Sequence, residues 1–565
     1  MPAHRVLRVS LLAAATLVGR EVSAFTFPPQ PLRSRRIQPA RSVASSTGTE
    51  MTEDEMWKVP EHFLSEVDLF CNRELGLGSL EAVGFDMDYT LAQYHLEFDL
   101  LAYNGAKEKL VNWLGYPAEV MDFQYGTDIA RRGCLIDRSR GNILKLDNHR
   151  YVRAVEHGLT ALSREERKSV YRSSYQESES FTGKEFANID TPFSLVDGCL
   201  FAQLVDIKDR LGDASELMAG KKYCDLYSDM RRCVDRCHKD GVIKLTVAEN
   251  PEKYIVYDEN LFPMLEEYRR AGKKVFLLTN SLWDYTQVVM NYLQGKKTGA
   301  DKDFAWTEYF DLIIVGGNKP AFITNPSLPM YKVDRETGQL QNCDDLPSNP
   351  QQTEAFLARF GNTFQGGSAH ILHQLLQISS GSNLLYVGDH IFADVVRSKA
   401  TTGWRTCLIV PELYSEIQVF KRLQPQREQL MQLKRQQHLI EREVDTLFAA
   451  KSKLLRSDVS DVSADVTEIT SEWAAKSHEL HLLHVQIRSK LATYDMEFHP
   501  RWGQLFKANF QESRISKQIQ DYACVYTSKA SNLGNVSPFR TLRPQRDRMA
   551  HDFYLDMMQN KKTGM

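Results

Sequence analysis

Five short apolar runs in the chain stop abruptly at polar residues. Val83-Gly84-Phe85 meets Asp86, residues 275–278 meet Thr279-Asn280-Ser281, and residues 312–315 meet Gly316-Gly317-Asn318-Lys319. Residues 384–387 lead into Gly388-Asp389, and residues 407–410 lead into Pro411. Near-continuous apolar runs predict strands buried on both faces, and helix-like stretches such as 283–294 and 369–378 lie between the last four. The expected fold is α/β, with a Rossmann-like parallel sheet. Ligands of such sheets bind outside the carboxyl ends of the strands, so the residues that end these runs are candidates to meet in one crevice.

Two regions break the rhythm. The stretch from about 105 to 245 predicts an inserted cap over the crevice, which splits the core into 60–104 and 246–415. Beyond it, 416–560 reads as a helical C-terminal region. Leu430, Leu433, Ile440, Val444 and Leu447 keep a heptad-like spacing, and so do Leu480, Leu483, Ile487 and Leu491. A Ser/Asp/Thr-rich connection, 457–470, lies between them. The economical reading is an antiparallel helical hairpin with its stripe packed internally; a homo-oligomer formed through that stripe is the alternative.

Composition adds exclusions. At 565 residues, 42% hydrophobic and 25% charged, the chain is of ordinary globular type and about three domains long. Its nine cysteines are too sparse for a disulfide scaffold. Cys233 and Cys237-His238 have no second ligand pair at a useful spacing, so no zinc site is expected. The net charge of -3 conceals an asymmetry. Residues 1–49 hold seven arginines and one acid, +6, which leaves -9 for the rest and argues against nucleic acid as a partner. That prefix has an apolar core over 6–18, small residues at Val22-Ser23-Ala24, and then an Arg/Ser/Pro-rich stretch without acids from Phe25. It predicts a removable signal followed by a transit-like segment. Such tandem segments resemble the bipartite targeting sequences of algae with secondary plastids, and the expectation favours a plastid over secretion, a mitochondrion or the cytosol. No other apolar run is long enough to span a bilayer, so a mature form without a membrane anchor is expected.

The candidate chemistry begins at Asp86-Met87-Asp88-Tyr89-Thr90. Two acids after a strand often do no more than cap a turn. Here they are followed, in order, by Thr279-Asn280-Ser281, Lys319 and Gly388-Asp389-His390-Ile391-Phe392-Ala393-Asp394. A phosphate monoester is a dianion that repels a bare carboxylate. A Mg2+ held by Asp86 and Asp389, with Asp88 in the same ligand set, would cancel that repulsion. Asp86 can then attack phosphorus, while Asp88, two positions along, protonates the leaving oxygen and later activates water. Thr279 and Asn280 offer donors to the phosphoryl oxygens, and Lys319 offers a fixed positive charge. Asp394 either supports the metal from a second shell or caps the helix that follows. His390 reads as structural.

This ordered set resembles the haloacid-dehalogenase superfamily of aspartate-nucleophile phosphohydrolases. Phe70-Cys71-Asn72-Arg73-Glu74-Leu75, the run from Val83 to Ala92, Lys319-Pro320-Ala321-Phe322 and Asp521-Tyr522-Ala523-Cys524-Val525-Tyr526 narrow it. They resemble the cytosolic purine 5'-nucleotidase and 5'-nucleotidase-domain-containing group over about 60–555. The resemblance implies a Mg2+-dependent hydrolase of nucleoside 5'-monophosphates, with phosphotransfer to a nucleoside as a further activity. Arg231, His238 and Lys244 resemble that group's cap residues around the nucleotide, and Phe193 resembles its base-stacking aromatic. Ser194 stands where the purine enzyme has Asn, so purine preference is a lean. The alternatives are a phosphatase of a non-nucleotide metabolite and a noncatalytic scaffold that keeps the fold.

Overall fold

The computed structural model describes residues 68–171, 181, 183–295, 303–343, 346–347, 349–456 and 463–544. All lie in the larger of the chain's two compact units, His62–Met565. The targeting reading of residues 1–49 falls outside the described residues, as do residues 457–462 of the expected connection.

Ten strands form the central sheet among the described residues. In chain order they are β1 (Phe70–Cys71), β2 (Ala82–Phe85), β3 (Lys274–Leu278), β4 (Leu312–Val315) and β5 (Met330–Val333). They continue with β6 (Leu340–Asn342), β7 (Thr363–Gly366), β8 (Leu384–Gly388), β9 (Arg405–Ile409) and β10 (Val525–Thr527). Their order in space is β1-β10-β9-β8-β2-β3-β4-β7-β5-β6. Neighbours from β10 to β7 pair in parallel, and antiparallel pairs finish both edges. β2, β4 and β8 are buried along their whole length, which is why they appear in the sequence as unbroken apolar runs. From β2 the sheet grows one way, through β3 and β4; from β8 it grows the other way, through β9. The adjacent ends of β2 and β8 are therefore the switch point, where a crevice opens.

Gly84 sits between Phe276 of β3 and Tyr386 of β8 in the sheet register. The two rings lie nearly parallel across it, with centroids 6.2 Å apart. A Cβ at Gly84 would come within 2.0 Å of Phe276 Cζ. Gly84→Ala is expected to lower stability by about 1–3 kcal/mol through overpacking, read as an earlier midpoint in denaturant unfolding. Phosphate release should fall with it, because Tyr386 carries a site contact described below.

The cap enters between β2 and β3. It begins at α1 (Leu96–Leu114), earlier than the expected 105, because the buried face of that helix packs on the cap helix α3 (Tyr223–Lys239). A five-stranded antiparallel sheet, Leu135–Asp137, Asn142–Leu146, Val152–His157, Thr160–Ala161 and Phe186–Asn188, completes the cap with α2 (Ser194–Leu211) and α4 (Val242–Glu249). Cys233 and Cys237 are buried on α3, Cys237 beside Gly105 of α1, so they serve helix packing. Ion pairs tie the cap to the C-terminal part of the chain: Arg131 to Glu416 at 2.7 Å, and Arg501 to Asp128 and Glu156, both at 2.9 Å.

The hairpin expected after Pro411 is present as α5 (Gln424–Leu454) and α6 (Ser463–Met496). Ile440 packs with Leu483 and Ile487, flanked by Leu433, Val444 and Leu480. The expected stripe is thus consumed inside the hairpin. The region 416–560 is not helical throughout, however. After Met496 the chain returns to the core, and Val525–Thr527 becomes β10, with Cys524 and Val525 buried in the main core. A three-residue strand is too short to show a period. No helix among the described residues is long and apolar enough to cross a membrane.

Candidate active site

The loops after β2, β3, β4 and β8 converge at the switch point. Asp86 follows β2 directly; its N–H donates to Val387 O of β8 at 2.9 Å, which fixes the nucleophile candidate to the neighbouring strand. The loops after β3 and β4 clasp each other. Gly316 N–H donates to Ser281 O at 2.8 Å and Gly317 N–H to Thr279 O at 2.9 Å. Gly316 has φ 54, and a Cβ on Gly317 would lie 2.8 Å from Leu278 Cδ1, so both glycines are required for this approach. The clasp delivers Lys319. Asn280 holds it from the side: Asn280 Oδ1 accepts from Lys319 N–H at 2.6 Å, and its amide donates to Lys319 O at 3.2 Å. Asn280's side chain is thus spent on positioning Lys319, which leaves less of it for a phosphoryl oxygen than the sequence suggested. Thr279 is buried and its hydroxyl accepts from Ser281 N–H at 3.0 Å.

Lys319 Nζ lies 2.9 Å from Asp86 Oδ2 and 2.9 Å from Asp394 Oδ1, and it donates to Tyr386 OH at 2.8 Å. Burial works against its charge, but Asp394 and Asp86 outweigh that and hold Lys319 protonated, well above the ordinary lysine range. Burial pushes Asp86 up to about 7, opposed by Lys319 and reinforced by Asp394 and Asp88. Asp389 is also raised well above the usual range by burial, with Asp394 and Asp86 adding repulsion. Oxygen atoms of Asp86, Asp389 and Asp394 all lie within 4.8 Å of one another. Asp394 is therefore inside the acid cluster rather than behind it. Gly388 makes room for it: a Cβ there would come 2.4 Å from Asp394 Oδ2.

Asp88 departs from the expected ligand set. Its carboxylate is not one of the three that converge. It accepts from Tyr94 OH at 2.5 Å and from Ser281 OH at 2.7 Å, on the side facing the cap. Side chains two apart on an extended segment share a side, but the strand ends at Phe85 and a turn starts at Met87, whose carbonyl accepts from Thr90 N–H at 3.2 Å and Ala92 N–H at 2.9 Å. Burial raises the Asp88 carboxyl, and the two hydroxyl donors oppose that rise.

The cap closes the other side. Asp88, Phe193, His238, Lys244, Asn280 and Ser281 line a cavity of about 190 Å³, with Phe98 and Tyr285 among the other walls. Phe193 meets Tyr89 edge-on at 4.6 Å and His238 at 5.9 Å. Burial, with Arg231 nearby, pushes His238 down to about 4, so it is neutral at pH 7. Lys244 Nζ is 3.5 Å from Asp284. Arg231 is not brought to this cavity; it pairs with Asp197 at 2.6 Å and with Asp235. Two cap residues that the sequence did not single out touch the acid cluster. Thr191 donates to Asp389 Oδ2 at 2.7 Å, and Arg132 donates to Asp389 O at 3.2 Å. Tyr94, Ser281 and Tyr386 were missed as well. Ser281, third in Thr279-Asn280-Ser281, was the one with a visible signal.

The strand order, the buried Asp86–Lys319 pair at the switch point and the cap define a phosphoric monoester hydrolase of haloacid-dehalogenase type. The four groups that a noncatalytic scaffold commonly loses, Asp86, Asp88, Lys319 and Asp389, are all in place. The 5' nucleotidase family is matched over residues 69–554, and the chain belongs to that family. It is 27% identical over 510 residues to human "5'-nucleotidase domain-containing protein 2", covering 88% of this chain and 87% of that one. Among solved structures it is similar to an archaeal beta-phosphoglucomutase from Pyrococcus sp. strain ST 04, with 13% identity, 58% and 86% of the two chains covered and a TM-score of 0.23. It is also similar to CbbY from Rhodobacter sphaeroides in complex with phosphate, with 13% identity, the same coverage and a TM-score of 0.21. At such scores neither likeness bears on the chemistry; strand order and family membership carry the fold.

Proposed function

We propose that the protein is a Mg2+-dependent hydrolase of nucleoside 5'-monophosphates, leaning towards purines, that works through an aspartyl-phosphate on Asp86. The observation that carries this reading is the buried Asp86 carboxylate at the switch point, with Lys319 at 2.9 Å. The residues present fit a hard divalent cation. Three buried carboxylates share one small volume with a single lysine against them, and all their donor atoms are oxygen. Asp86 and Asp389 would hold the ion, with Asp394 beside them. When bound, it would neutralise the incoming dianion and polarise a phosphoryl oxygen.

An Asp86 oxygen forms the new bond to phosphorus as the ester P–O bond breaks. Asp88, starting protonated, gives its proton to the departing oxygen. Lys319 sits where charge spreads over the equatorial oxygens. In the second half Asp88 takes a proton from water, which attacks phosphorus and returns Asp86 as a carboxylate. Tyr94 and Ser281 hold Asp88 on the leaving-group side throughout. Phe193, His238 and Lys244 flank that side, which supports a base-carrying substrate and the lean towards purines.

One observation favours a second reading. A cavity of about 190 Å³ is small beside ordinary ligand pockets of roughly 300–1,000 Å³, so a compact, non-nucleotide phosphate ester would enter with less movement of the cap. A panel of purine and pyrimidine 5'-monophosphates and small non-nucleotide esters, assayed with Mg2+ and after chelation, separates the two. Expected are metal-dependent phosphate release and roughly tenfold higher kcat/KM for the purine members, about 1.4 kcal/mol of discrimination. A higher kcat/KM for the small esters would overturn the nucleotide assignment. Undiminished turnover after chelation would remove the metal. We also infer a plastid address from residues 1–49, which N-terminal sequencing of the protein from its source checks.

A further inference from the structure

The cap stands on the core at a foot built from two strips of its backbone. Gly133 N–H donates to Ile189 O at 2.6 Å and Ile189 N–H to Cys134 O at 3.0 Å, which binds the strip around Arg132 to the strip around Thr191. Both strips reach the loop after β8. Thr191, itself buried, donates to Asp389 Oδ2 at 2.7 Å, and Arg132 donates to Asp389 O at 3.2 Å. Asp190, between the two strips' contacts, lies 3.7 Å from His390. Arg132 also pairs with Glu412, just beyond β9, at 2.9 Å.

The second strip runs on into the substrate cavity. Thr191 O accepts from Ser194 N–H at 3.1 Å and Pro192 O from Leu195 N–H at 3.0 Å. This turn opens α2 and fixes Phe193 relative to Thr191. Phe193 is a wall of the cavity that Asp88 also lines. A donor on a core carboxylate and an aromatic wall of the cavity thus share one turn of the cap.

We propose that Thr191 is a positioning residue for the cation: it pins the Asp389 carboxylate and, through that one hydrogen bond, joins ion binding to the cap turn that carries Phe193. This role rests on the reading of Asp389 as an ion ligand. A buried hydroxyl needs an acceptor in any protein. What distinguishes this one is its acceptor, a carboxylate of the acid cluster reached across the boundary between cap and core. Asp389 is crowded by Asp86 and Asp394, and like charges at that range drive a free carboxylate to swing apart. A donor that holds it in place keeps the three oxygens converged for an ion. Linkage is reciprocal, so an ion that draws on Asp389 also steadies the Thr191–Phe193 turn.

Mn2+, a paramagnetic substitute for Mg2+ at an all-oxygen site, tests this on the full chain, with free ion counted by electron paramagnetic resonance. The expected result is a tight site in the wild type that is lost in Asp389→Asn. Thr191→Val should raise the Mn2+ Kd roughly 10–100-fold, whereas Thr191→Ser, which keeps the hydroxyl, should stay within about threefold of wild type. Arg132 and the Arg131–Glu416 pair still hold the foot, so Thr191→Val should keep the wild-type melt. A second readout needs no variant. Saturating Mg2+ should slow hydrogen exchange at Ser194 and Leu195 of the wild type about fivefold or more. A wild type that binds no Mn2+, or an Asp389→Asn variant that binds it as tightly, would overturn both this role and the ion reading beneath it. Loss of the site in Asp389→Asn with an unchanged Kd in Thr191→Val would overturn the role of Thr191 alone. So would exchange at Ser194 and Leu195 that ignores the ion.

Discussion

Asp86→Asn should leave the protein folded and lower phosphate release by on the order of 10⁴-fold or more. The substitution is nearly isosteric, and Lys319 keeps its 2.9 Å contact with Asp394, so the architecture behind the site survives. What disappears is the oxygen nucleophile, since a neutral amide is a poor donor of electrons to phosphorus. Stability should hold or rise. Burial pushes the Asp86 carboxyl up to about 7 against the pull of Lys319, with Asp394 and Asp88 adding repulsion, so a neutral amide there removes a net cost of holding the charge. The measurement pairs initial rates at saturating ester with a thermal melt. Activity within tenfold of wild type would remove Asp86 from the chemistry, and a collapsed melt would make the rate loss uninformative about the nucleophile.

Asp88→Asn has a different signature. Steady-state turnover of an alkyl phosphate should fall by roughly 10²–10⁴-fold, the ordinary contribution of a positioned proton donor. The first half-reaction needs that proton only when the leaving oxygen is basic. With p-nitrophenyl phosphate, whose leaving group departs unprotonated, the first step should recover while the second stays slow. The variant should therefore release one nitrophenolate per site in a burst and accumulate a phosphoryl group on Asp86, visible as a mass increment. The geometry favours this division of labour. Asp88 faces Tyr94 and Ser281, away from the three carboxylates around Lys319, on the side where the leaving group departs. Equal losses on both esters with no burst would move Asp88 from proton transfer to a purely structural role.

The strands of this molecule that were legible in the sequence share one property, burial on both faces. β2, β3, β4, β8 and β9 lie where apolar runs end in polar residues, because a strand inside a doubly covered sheet has no solvent side to dilute its pattern. The same rule placed Asp86, Lys319 and Asp389 together, since strand ends in a parallel sheet share one rim. β1, β5, β6, β7 and β10 were missed, being two to four residues long at or near the sheet's margins. The cap's antiparallel sheet was also missed. Thr191 and Arg132 reach Asp389 from across the cap, by an approach that sequence spacing does not encode. Asp88 turned away from the acid cluster because the strand has ended at Phe85 and the chain is already turning at Met87, so strand alternation no longer applies.

The order of strands in the sheet also dictates when it can be finished. Among the described residues β1 touches the rest of the sheet only through β10, and Thr527 donates to the carbonyl of Asp68 across 459 positions of chain. The segment around Phe70 leaves the ribosome early, yet its place in the sheet does not exist until residues 525–527 have been synthesised. At about 5–20 residues per second, that is a wait of tens of seconds or more. During it an apolar segment around Phe70 has no neighbour to pair with. Such a chain is expected to lean on chaperones while it is being made, and to be intolerant of truncation well short of its catalytic residues.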